Sequence, residues 1–336
     1  MLLMDRGEPT VRDPIHLTPV LVPKPWGGRR LEGLNHELPP GELVGESWEV
    51  ADLDPRTVDS VADPATRVAT GPFTGRTLSE LIALDAAALL GAATDVAGRF
   101  PLLIKFLDAR EHLSVQIHPT EAYAATDPTA HVKTESWIVL DAAPGAELMI
   151  GLADGVSCNE VIRAIGTPDI VPMLHRIPAV VGAVHHVPAG TIHALGAGVL
   201  VAEIQTPSDT TFRLYDWTDE YQRAPREIHH QEAAHAIRLA WPPPGLFGDG
   251  RLTPQSSLIE TSHYVVRLCT IEGEARYEVE QGIARVLLVT EGTVDAPGFA
   301  HPCRRGQVVV LPAAWSGAVR SPTSASFLEV VPGSAS

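Results

Sequence analysis

Cysteine is scarce in this sequence, which has only three among 336 residues: Cys158, Cys269 and Cys303. The count is odd and no CxxC pair occurs, so neither a disulfide framework nor a thiolate zinc cage fits. Free thiols persist where the surroundings are reducing. We therefore expect the chain to work in the cytoplasm.

Long apolar runs and basic stretches are also missing. No run approaches the roughly 18 to 20 apolar residues that cross a bilayer, and the N-terminal segment carries Asp5 and Glu8 with no apolar centre. A total of 25 Lys and Arg faces 41 Asp and Glu, which gives a formal net charge of −16, and the basic residues are scattered. We therefore expect no membrane span, no secretory signal and no nucleic-acid partner.

Lysine is the rarest of the charged residues. Only Lys24, Lys105 and Lys133 occur beside 22 Arg, in a chain rich in Ala, Pro and Gly. A GC-rich genome explains the bias of the whole composition. Each remaining lysine is still a candidate for a position that requires an ammonium group, with chance as the alternative.

The pattern of apolar runs predicts a mainly β protein with a small helical insertion. Runs of strand length recur along most of the chain and are cut by 28 Gly and 29 Pro. Helical segments are expected near 77–97, where Thr77 and Glu80 form a capping-box pattern, and near 159–165, which Gly166 ends. At roughly 100 to 200 residues per domain, the length favours two domains.

A proline-rich stretch divides the chain. The segment 241–250, WPPPGLFGDG, contains three consecutive prolines, which cannot donate hydrogen bonds to a sheet. It separates a predicted catalytic domain, residues 1–240, from a smaller all-β domain, residues 251–336. The two domains share a phrase of Gly, five residues and Pro, which begins at Gly182 and again at Gly306. The repetition indicates two related β-barrels.

Four polar residues form a candidate metal site. In an extended strand, Gln116 and His118 project from one face, so they suit a single ion. Glu135 and His193 each occur at a strand or turn position that a small barrel would aim inward. Two imidazoles, a carboxylate and an amide oxygen make the kind of N/O site that catalytic zinc uses. Taken singly, each also fits a structural role: a core histidine, a solvated glutamate or a half-exposed glutamine.

Six motifs in order carry a resemblance to a known family. They are GESWEV (45–50), LIKFLDA (103–109), SVQIHP (114–119), KTESW (133–137), VPAGTIHALGAG (187–198) and EIQTPSDTTFRLYDW (203–217). Together they closely resemble the zinc-dependent type I mannose-6-phosphate isomerases in their short bacterial form. The phrase from Gly182 to His193 resembles the second signature of the cupin superfamily. The resemblance implies two cupin-type, jelly-roll β-barrels, of which the C-terminal one is degenerate.

The resemblance implies an enzyme that interconverts mannose 6-phosphate and fructose 6-phosphate through an enediol, with one zinc ion (Zn2+) per chain. The family's zinc ligands map onto Gln116, His118, Glu135 and His193. Its other active-site positions map onto Ser114, Lys133, Glu203, Asp209 and Arg213. The chain departs from longer relatives because it has no lysine shortly after Arg213, where they contact the phosphate.

The chemistry of an aldose-ketose exchange suggests a role for each residue. A proton must move between C2 and C1, which requires a base with a pKa near neutrality and a cation at the oxygens. Glu203 is our choice of base, and the alternative is a strand-edge carboxylate in solvent. Arg213 or Lys133 would neutralise the phosphate or the enediolate, with arginine favoured for two-point phosphate contact. The resemblance adds Ser114 and Asp209 to the substrate-binding set, and the alternative for Asp209 is a residue that caps or orients Thr211 and Arg213.

Two other functions compete with the isomerase. A non-catalytic cupin that binds a sugar phosphate, as a sensor or partner subunit, needs no base, so Lys133, Glu203 and Arg213 together favour catalysis. An Fe(II) cupin oxygenase is disfavoured by Gln116, because such iron sites use histidine and carboxylate ligands. The expected partner of the isomerase is a small sugar phosphate. The chain is expected to be a monomer or a weak homo-oligomer.

We predict that the C-terminal domain binds no metal. Gly317 stands in its repeated phrase where the first domain has His193, and no Gln-x-His pair occurs after residue 250. Titration of the metal-free protein with zinc, followed by calorimetry, should therefore saturate at one equivalent per chain. A second tight site that persists in His193→Ala would contradict the prediction.

Overall fold

The computed structural model describes residues 11–58, 60–241, 247–251 and 257–334, with the backbone alone for 247–251 and 257–258. Asp5, Glu8 and residues 242–246 of the predicted linker lie outside these ranges. The described chain is mainly β, as expected, and its strands form four antiparallel sheets.

The strands of the described residues are numbered in chain order. The N-terminal ones are β1 Ile15–Thr18, β2 Val20–Gly28, β3 Val44–Val50, β4 Arg67–Val68, β5 Leu103–Ala109, β6 Val115–Ile117, β7 Glu135–Ala142, β8 Glu147–Leu152, β9 Leu174–Pro178, β10 Ala183–Val187, β11 His193–Leu195, β12 Val199–Gln205 and β13 Phe212–Tyr215. The later ones are β14 Phe247–Arg251, β15 Ser257–Glu260, β16 Tyr264–Glu272, β17 Tyr277–Val279, β18 Arg285–Val294, β19 Cys303–Arg304, β20 Val308–Leu311, β21 Gly317–Val319 and β22 Ser324–Pro332.

The helices are short and occupy the connections between strands. The α-helices are α1 Leu78–Leu89, α2 Glu121–Ala124, α3 Cys158–Ala164, α4 Thr218–Tyr221 and α5 His230–Leu239. The 3-10 helices are Arg30–Leu34, Pro55–Thr57 and Pro168–Met173. Within the described ranges, no helix has the length and apolar character needed to cross a membrane.

Two sheets carry the motif residues. The seven-stranded sheet has the order β14-β10-β7-β12-β5-β3-β2, and the five-stranded sheet has the order β13-β6-β11-β8-β9. At the centre of the larger sheet, Glu203 pairs with Lys105 on one side and with Trp137 on the other. In the smaller sheet, His193 pairs with Gln116. The register therefore brings residues of widely separated motifs side by side.

The other two sheets are built mainly from C-terminal residues. The eight-stranded sheet has the order β15-β16-β22-β18-β20-β1-β4, with β19 against β18, and β17 pairs with β21. The N-terminal strand β1 enters this sheet through β20, with Ile15 opposite Val310. None of the sheets formed by the described residues closes on itself, because the strands at their two ends do not pair with each other. The closed barrels expected from the sequence are therefore not found.

The central strands β5 and β12 are buried along their whole length. Their even-numbered residues, among them Phe106 and Ile204, pack in a core that also contains Leu288 of the eight-stranded sheet. Successive strand residues point to opposite faces. Lys105 and Glu203 therefore point the other way, towards the cavity that borders the five-stranded sheet.

Helix α1 begins at the predicted capping box but is shorter than expected. The Oγ1 atom of Thr77 accepts a hydrogen bond from the backbone N–H of Glu80, and the Glu80 carboxylate accepts one from the backbone N–H of Thr77. The helix ends at Leu89, whereas the sequence pattern predicted helix to about residue 97. Helix α3, by contrast, lies within one residue of the predicted segment 159–165.

Gly91 ends the helical region because it adopts φ +59°, a left-handed conformation. The chain beyond it bonds to C-terminal residues instead of to itself. The backbone N–H of Ala92 donates to the carbonyl oxygen of Gly282 at 2.8 Å, and Gly91 forms a bridge with Ile283. This long-range pairing was invisible to a local pattern of apolar residues.

We predict that Gly91→Ala destabilises the protein more than Gly273→Ala. The two glycines have nearly the same φ, +59° and +58°, so each substitution adds a similar backbone strain of about 1–2 kcal/mol. A Cβ on Gly91 would lie 2.2 Å from the carbonyl oxygen of Gly282, whereas one on Gly273 meets nothing within 4 Å. The clash should cost a further ~1–3 kcal/mol. Equal losses of unfolding free energy in urea would show that this contact does not matter.

Candidate active site

Three buried side chains from three strands converge at one point. Glu135 begins β7, His193 begins β11, and His118 directly follows β6. Each side chain offers one potential ligand atom, and these three atoms lie within 4.8 Å of one another. All three residues are at most 1% exposed. These three residues, which could hold a metal ion, are called the metal-binding group below.

Backbone carbonyls orient both imidazoles. Nδ1 of His118 donates to the carbonyl oxygen of Thr210 at 3.1 Å, and Nδ1 of His193 donates to that of Thr191 at 2.9 Å. A carbonyl only accepts, so Nδ1 carries the proton of each neutral ring and Nε2 keeps its lone pair. The Nε2 atoms lie 3.2 and 3.1 Å from the two carboxylate oxygens of Glu135.

These short distances do not have hydrogen-bond geometry. Both oxygens of Glu135 and Nε2 of His118 are buried without a hydrogen-bond partner among the described residues. Such an unsatisfied polar atom costs about 1–3 kcal/mol. Acceptors that face one another satisfy each other poorly, but they can share a cation. The set therefore fits a divalent metal such as zinc, which binds histidine nitrogen and carboxylate oxygen.

Gln116 borders the same group. Its Nε2 lies 3.1 Å from Nε2 of His193, the residue that it pairs with across β6 and β11. The nitrogen and oxygen of an amide exchange places when the group turns by half a rotation. In that orientation the amide oxygen of Gln116 faces the group and offers a fourth ligand atom.

Burial and nearby charges keep Glu135 and His118 in the ionisation states that bind metals. Burial alone would raise the pKa of Glu135, but the Lys133 ammonium, with Nζ 3.0 Å from Oε2, and the two histidines hold it well below its usual range. Burial, and then the charge of Lys133, lower the pKa of His118 to about 3. Near neutral pH, Glu135 is therefore ionised and His118 is neutral.

A cavity of about 490 Å³ opens beside the metal-binding group. The residues singled out from the sequence that line it are Ser114, Gln116, Lys133, Glu203, Asp209 and Arg213. Trp137 lines it too, with its ring centroid 5.4 Å from that of His193. The fold thus brings every candidate site residue either into the metal-binding group or to the cavity next to it.

Glu203 lies in the interior and not at a solvated strand edge. It is 3% exposed, and Nε1 of Trp137 donates a hydrogen bond to its Oε2 at 3.0 Å. Burial, and then the negative charge of Glu135, raise the pKa of Glu203 to about 7. A carboxyl group with this pKa can take up and release a proton near neutral pH.

Sequence reasoning did not assign two lysines and a glutamate that line the same cavity. Nζ of Lys24 lies 3.0 Å from Oε1 of Glu46, and Nζ of the buried Lys105 lies 3.4 Å from Oε2. Lys105 also reaches Oδ1 of Asp209 at 3.3 Å. Burial disfavours the charge of Lys105, but these carboxylates raise its pKa above the ordinary value. With Lys133, the cavity contains all three lysines of the chain, so their scarcity was the available signal.

Asp209 and Arg213 serve different sides of the cavity. Besides the contact with Lys105, the carboxylate of Asp209 accepts a hydrogen bond from Oγ of Ser60 at 2.7 Å. Arg213 donates from Nη1 to the carbonyl oxygen of Glu227 at 2.7 Å, and its Nε is buried without a hydrogen-bond partner in the described chain. Nη2 of Arg213 makes no hydrogen bond to the described residues, so it keeps donor capacity for a ligand.

The N-terminal part of the chain matches a known family. Residues 15–152 match the model described as phosphomannose isomerase type I, catalytic domain. The mannose-6-phosphate isomerase of Streptococcus mutans is 31% identical over 310 residues, which cover 89% of this chain and 92% of that protein.

Solved structures agree with this match. The mannose 6-phosphate isomerase from Bacillus subtilis superposes with a TM-score of 0.77 at 30% identity, over 95% of this chain and 99% of that one. A mannose 6-phosphate isomerase solved with zinc and yttrium shares the fold, with a TM-score of 0.69 at 16% identity over 96% of this chain and 100% of that one. Because similarity to the family extends over nine-tenths of its length, the chain belongs to the type I phosphomannose isomerases.

Proposed function

We propose that the chain is a zinc-dependent enzyme that interconverts mannose 6-phosphate and fructose 6-phosphate. The observation that carries the proposal is Glu203, a buried carboxyl with a pKa of about 7 in the cavity beside the metal-binding group. A protein that only binds a sugar phosphate has no use for a titrating carboxyl held away from solvent. The names of the Streptococcus mutans and Bacillus subtilis relatives support the choice of substrate.

The proposed zinc ligands are Gln116, His118, Glu135 and His193. The unsatisfied lone pairs of Glu135 and His118 support this assignment, as do the backbone carbonyls that turn both Nδ1 protons outward. When bound, zinc supplies a Lewis acid beside the oxygens of C1 and C2 of the sugar. The ammonium group of Lys133 forms an ion pair with Glu135 and adds positive charge beside the proposed zinc ligands.

Glu203 is the proposed base. Its carboxylate takes the proton from C2 of the open-chain aldose and returns it to C1, while the hydroxyl proton on O2 moves to O1. The intermediate is the enediol, and the carboxylate is regenerated, so no atom is gained or lost. The hydrogen bond from Trp137 holds Oε2 and leaves Oε1 to carry the proton.

The remaining polar residues bind and orient the substrate. Lys133 stabilises negative charge that develops on the sugar oxygens, because its ammonium lies at the border between the metal-binding group and the cavity. Ser114 and Asp209 line the same cavity and complete the substrate-binding set. Arg213 binds the phosphate through Nη2, which donates to none of the described residues.

We also propose that the chain has two cupin-type units, a catalytic one in residues 1–240 and a metal-free one in residues 251–336, with β1 and β4 of the first paired into the sheet of the second. In support, Gly182 and Gly306, which begin the repeated phrase, have the same φ of +82° and each lead into a strand. The free thiols of the three cysteines support a cytoplasmic location. A monomeric or weakly homo-oligomeric state stays a prediction.

A coupled assay tests the function directly. The purified protein should convert mannose 6-phosphate to fructose 6-phosphate, lose this activity after treatment with a chelator and recover it when zinc is restored. Metal analysis before and after treatment provides the control. Isomerase activity that persists without any divalent metal would exclude the zinc role, and zinc-loaded protein with no activity would exclude the function.

We predict that Glu203→Gln lowers kcat by roughly 10²- to 10⁴-fold, the usual contribution of a general base, without loss of zinc. Glutamine keeps the size of the side chain and can accept the hydrogen bond from Trp137, but it cannot take the C2 proton. In the wild type, Glu203 is protonated below its pKa, so kcat/KM should fall as the pH drops below about 7. A bound cation would shift this midpoint to lower pH.

The control is Glu278→Gln, an exposed carboxylate outside the cavity. This variant should keep the wild-type pH profile, since it leaves the charges around Glu203 unchanged. Wild-type turnover by Glu203→Gln would show that another group is the base.

A further inference from the structure

The cavity has two cationic regions that differ in how their charge is balanced. In one, Lys24 and Lys105 face Glu46 and Asp209, which gives two cations for two anions. In the other, the guanidinium of Arg213 donates to a backbone carbonyl and, in the described residues, forms no ion pair. No carboxylate of the described residues is therefore in ion-pair contact with Arg213, although Glu227 also lines this end of the cavity.

A second guanidinium lies at the same end. Arg226 lines the cavity and is held by Asp216, because Nε donates to Oδ2 at 2.8 Å and Nη2 donates to Oδ1. The Asp216 side chain is 2% exposed, whereas that of Arg226 is 27% exposed. The third guanidinium nitrogen, Nη1, makes no hydrogen bond to the described residues and can donate to a ligand.

The backbone fixes Arg226 relative to Arg213. The loop after α4 lies along β13, where the backbone N–H of Arg213 donates to Nδ1 of His229 and the N–H of His229 donates to the carbonyl oxygen of Arg213, both at 3.0 Å. The contact from Arg213 to the Glu227 carbonyl adds a third tie. These bonds hold the loop that carries Arg226 against the strand that carries Arg213, although the two arginines are thirteen positions apart.

The two guanidinium groups act on each other. Burial, and then the positive charge of Arg226, lower the pKa of Arg213. With the single charge of Asp216 subtracted, the trio has a net charge of +1. An anion that bridges the two arginines would remove this repulsion and use their free donors.

We propose that Arg226 is the second phosphate-binding cation of the active site, beside Arg213, and that Asp216 is its positioning residue. The inference rests on the proposed function and extends it to a residue outside the sequence motifs. Two planar guanidinium groups can contact several oxygens of a phosphate dianion, which suits a phosphorylated sugar and not a free one.

The layout of the cavity agrees with this direction for the substrate. Arg213 and Arg226 both line the cavity, and Gln116, which lines it too, borders the metal-binding group. The reacting carbons of the sugar are at the opposite end from its phosphate. A substrate with C1 and C2 at the metal-binding group therefore carries its phosphate towards the arginines.

The test compares Arg226→Gln with the wild type. KM for mannose 6-phosphate should rise at least about tenfold, the usual effect of losing a charge-assisted contact, while kcat changes less than about threefold. The inhibition constant of inorganic phosphate should rise by a similar factor. A purely structural role would lower thermal stability or zinc content without this selective loss of phosphate affinity.

Two further variants guard against misfolding. Asp216→Asn combined with Arg226→Gln removes both charges, so it leaves no unpaired buried carboxylate, and it should show the same loss of affinity. Arg226→Lys keeps the charge without the planar fork and should give an intermediate KM. The control Arg238→Gln removes an exposed charge from α5 outside the cavity and should change neither constant.

Calorimetric titration with inorganic phosphate separates this inference from the proposed function. Phosphate binding that is lost in Arg226→Gln supports the inference even if the wild type fails to isomerise mannose 6-phosphate, a result that would refute the function alone. Wild-type KM and phosphate affinity in Arg226→Gln and in the double variant would overturn the inference and leave the isomerase intact.

Discussion

The candidate site depends on one buried carboxylate. Glu135 is ionised and excluded from solvent, and no described residue gives it a hydrogen bond of proper geometry. A charge in that position is stable only when cations surround it. The ammonium of Lys133 at 3.0 Å meets part of this requirement, and the two imidazoles, which present Nε2 to the carboxylate, could hold a metal ion together with it. The strands that carry these side chains must be held firmly, because a small shift would leave the charge unpaired.

The electrostatic effect of Glu135 extends into the cavity. Its negative charge, together with burial, raises the pKa of Glu203, whereas the nearby lysines keep Glu46 and Asp209 paired. The cavity therefore contains carboxylates held in ion pairs and one carboxyl group that titrates near neutrality. Carboxyl groups of the same type acquire different roles through their surroundings alone.

Packing and chemistry use opposite faces of the same strands. In β5 and β12, one set of residues joins the core shared with the eight-stranded sheet, while Lys105 and Glu203 point into the cavity. The C-terminal residues thus support the site without contributing a ligand to the metal-binding group that the described residues form. Strand β1 and the bonds around Gly91 tie the N-terminal residues to this supporting sheet. Rigidity of the candidate site therefore depends on contacts distant from it.

The sequence by itself was enough for the mainly β class and the family, and it singled out His118, Glu135 and His193, which the fold brings together, because short motifs keep such residues at characteristic strand positions. It also indicated, through scarcity, that lysines matter. Only the tertiary structure decided that Glu203 points inward, that α1 ends at Leu89, and that Arg226 reaches the same cavity as Arg213. A strand pattern with a period of two says which residues share a face, but not which face meets the cavity. That choice depends on packing between residues far apart in the chain, which no local pattern contains.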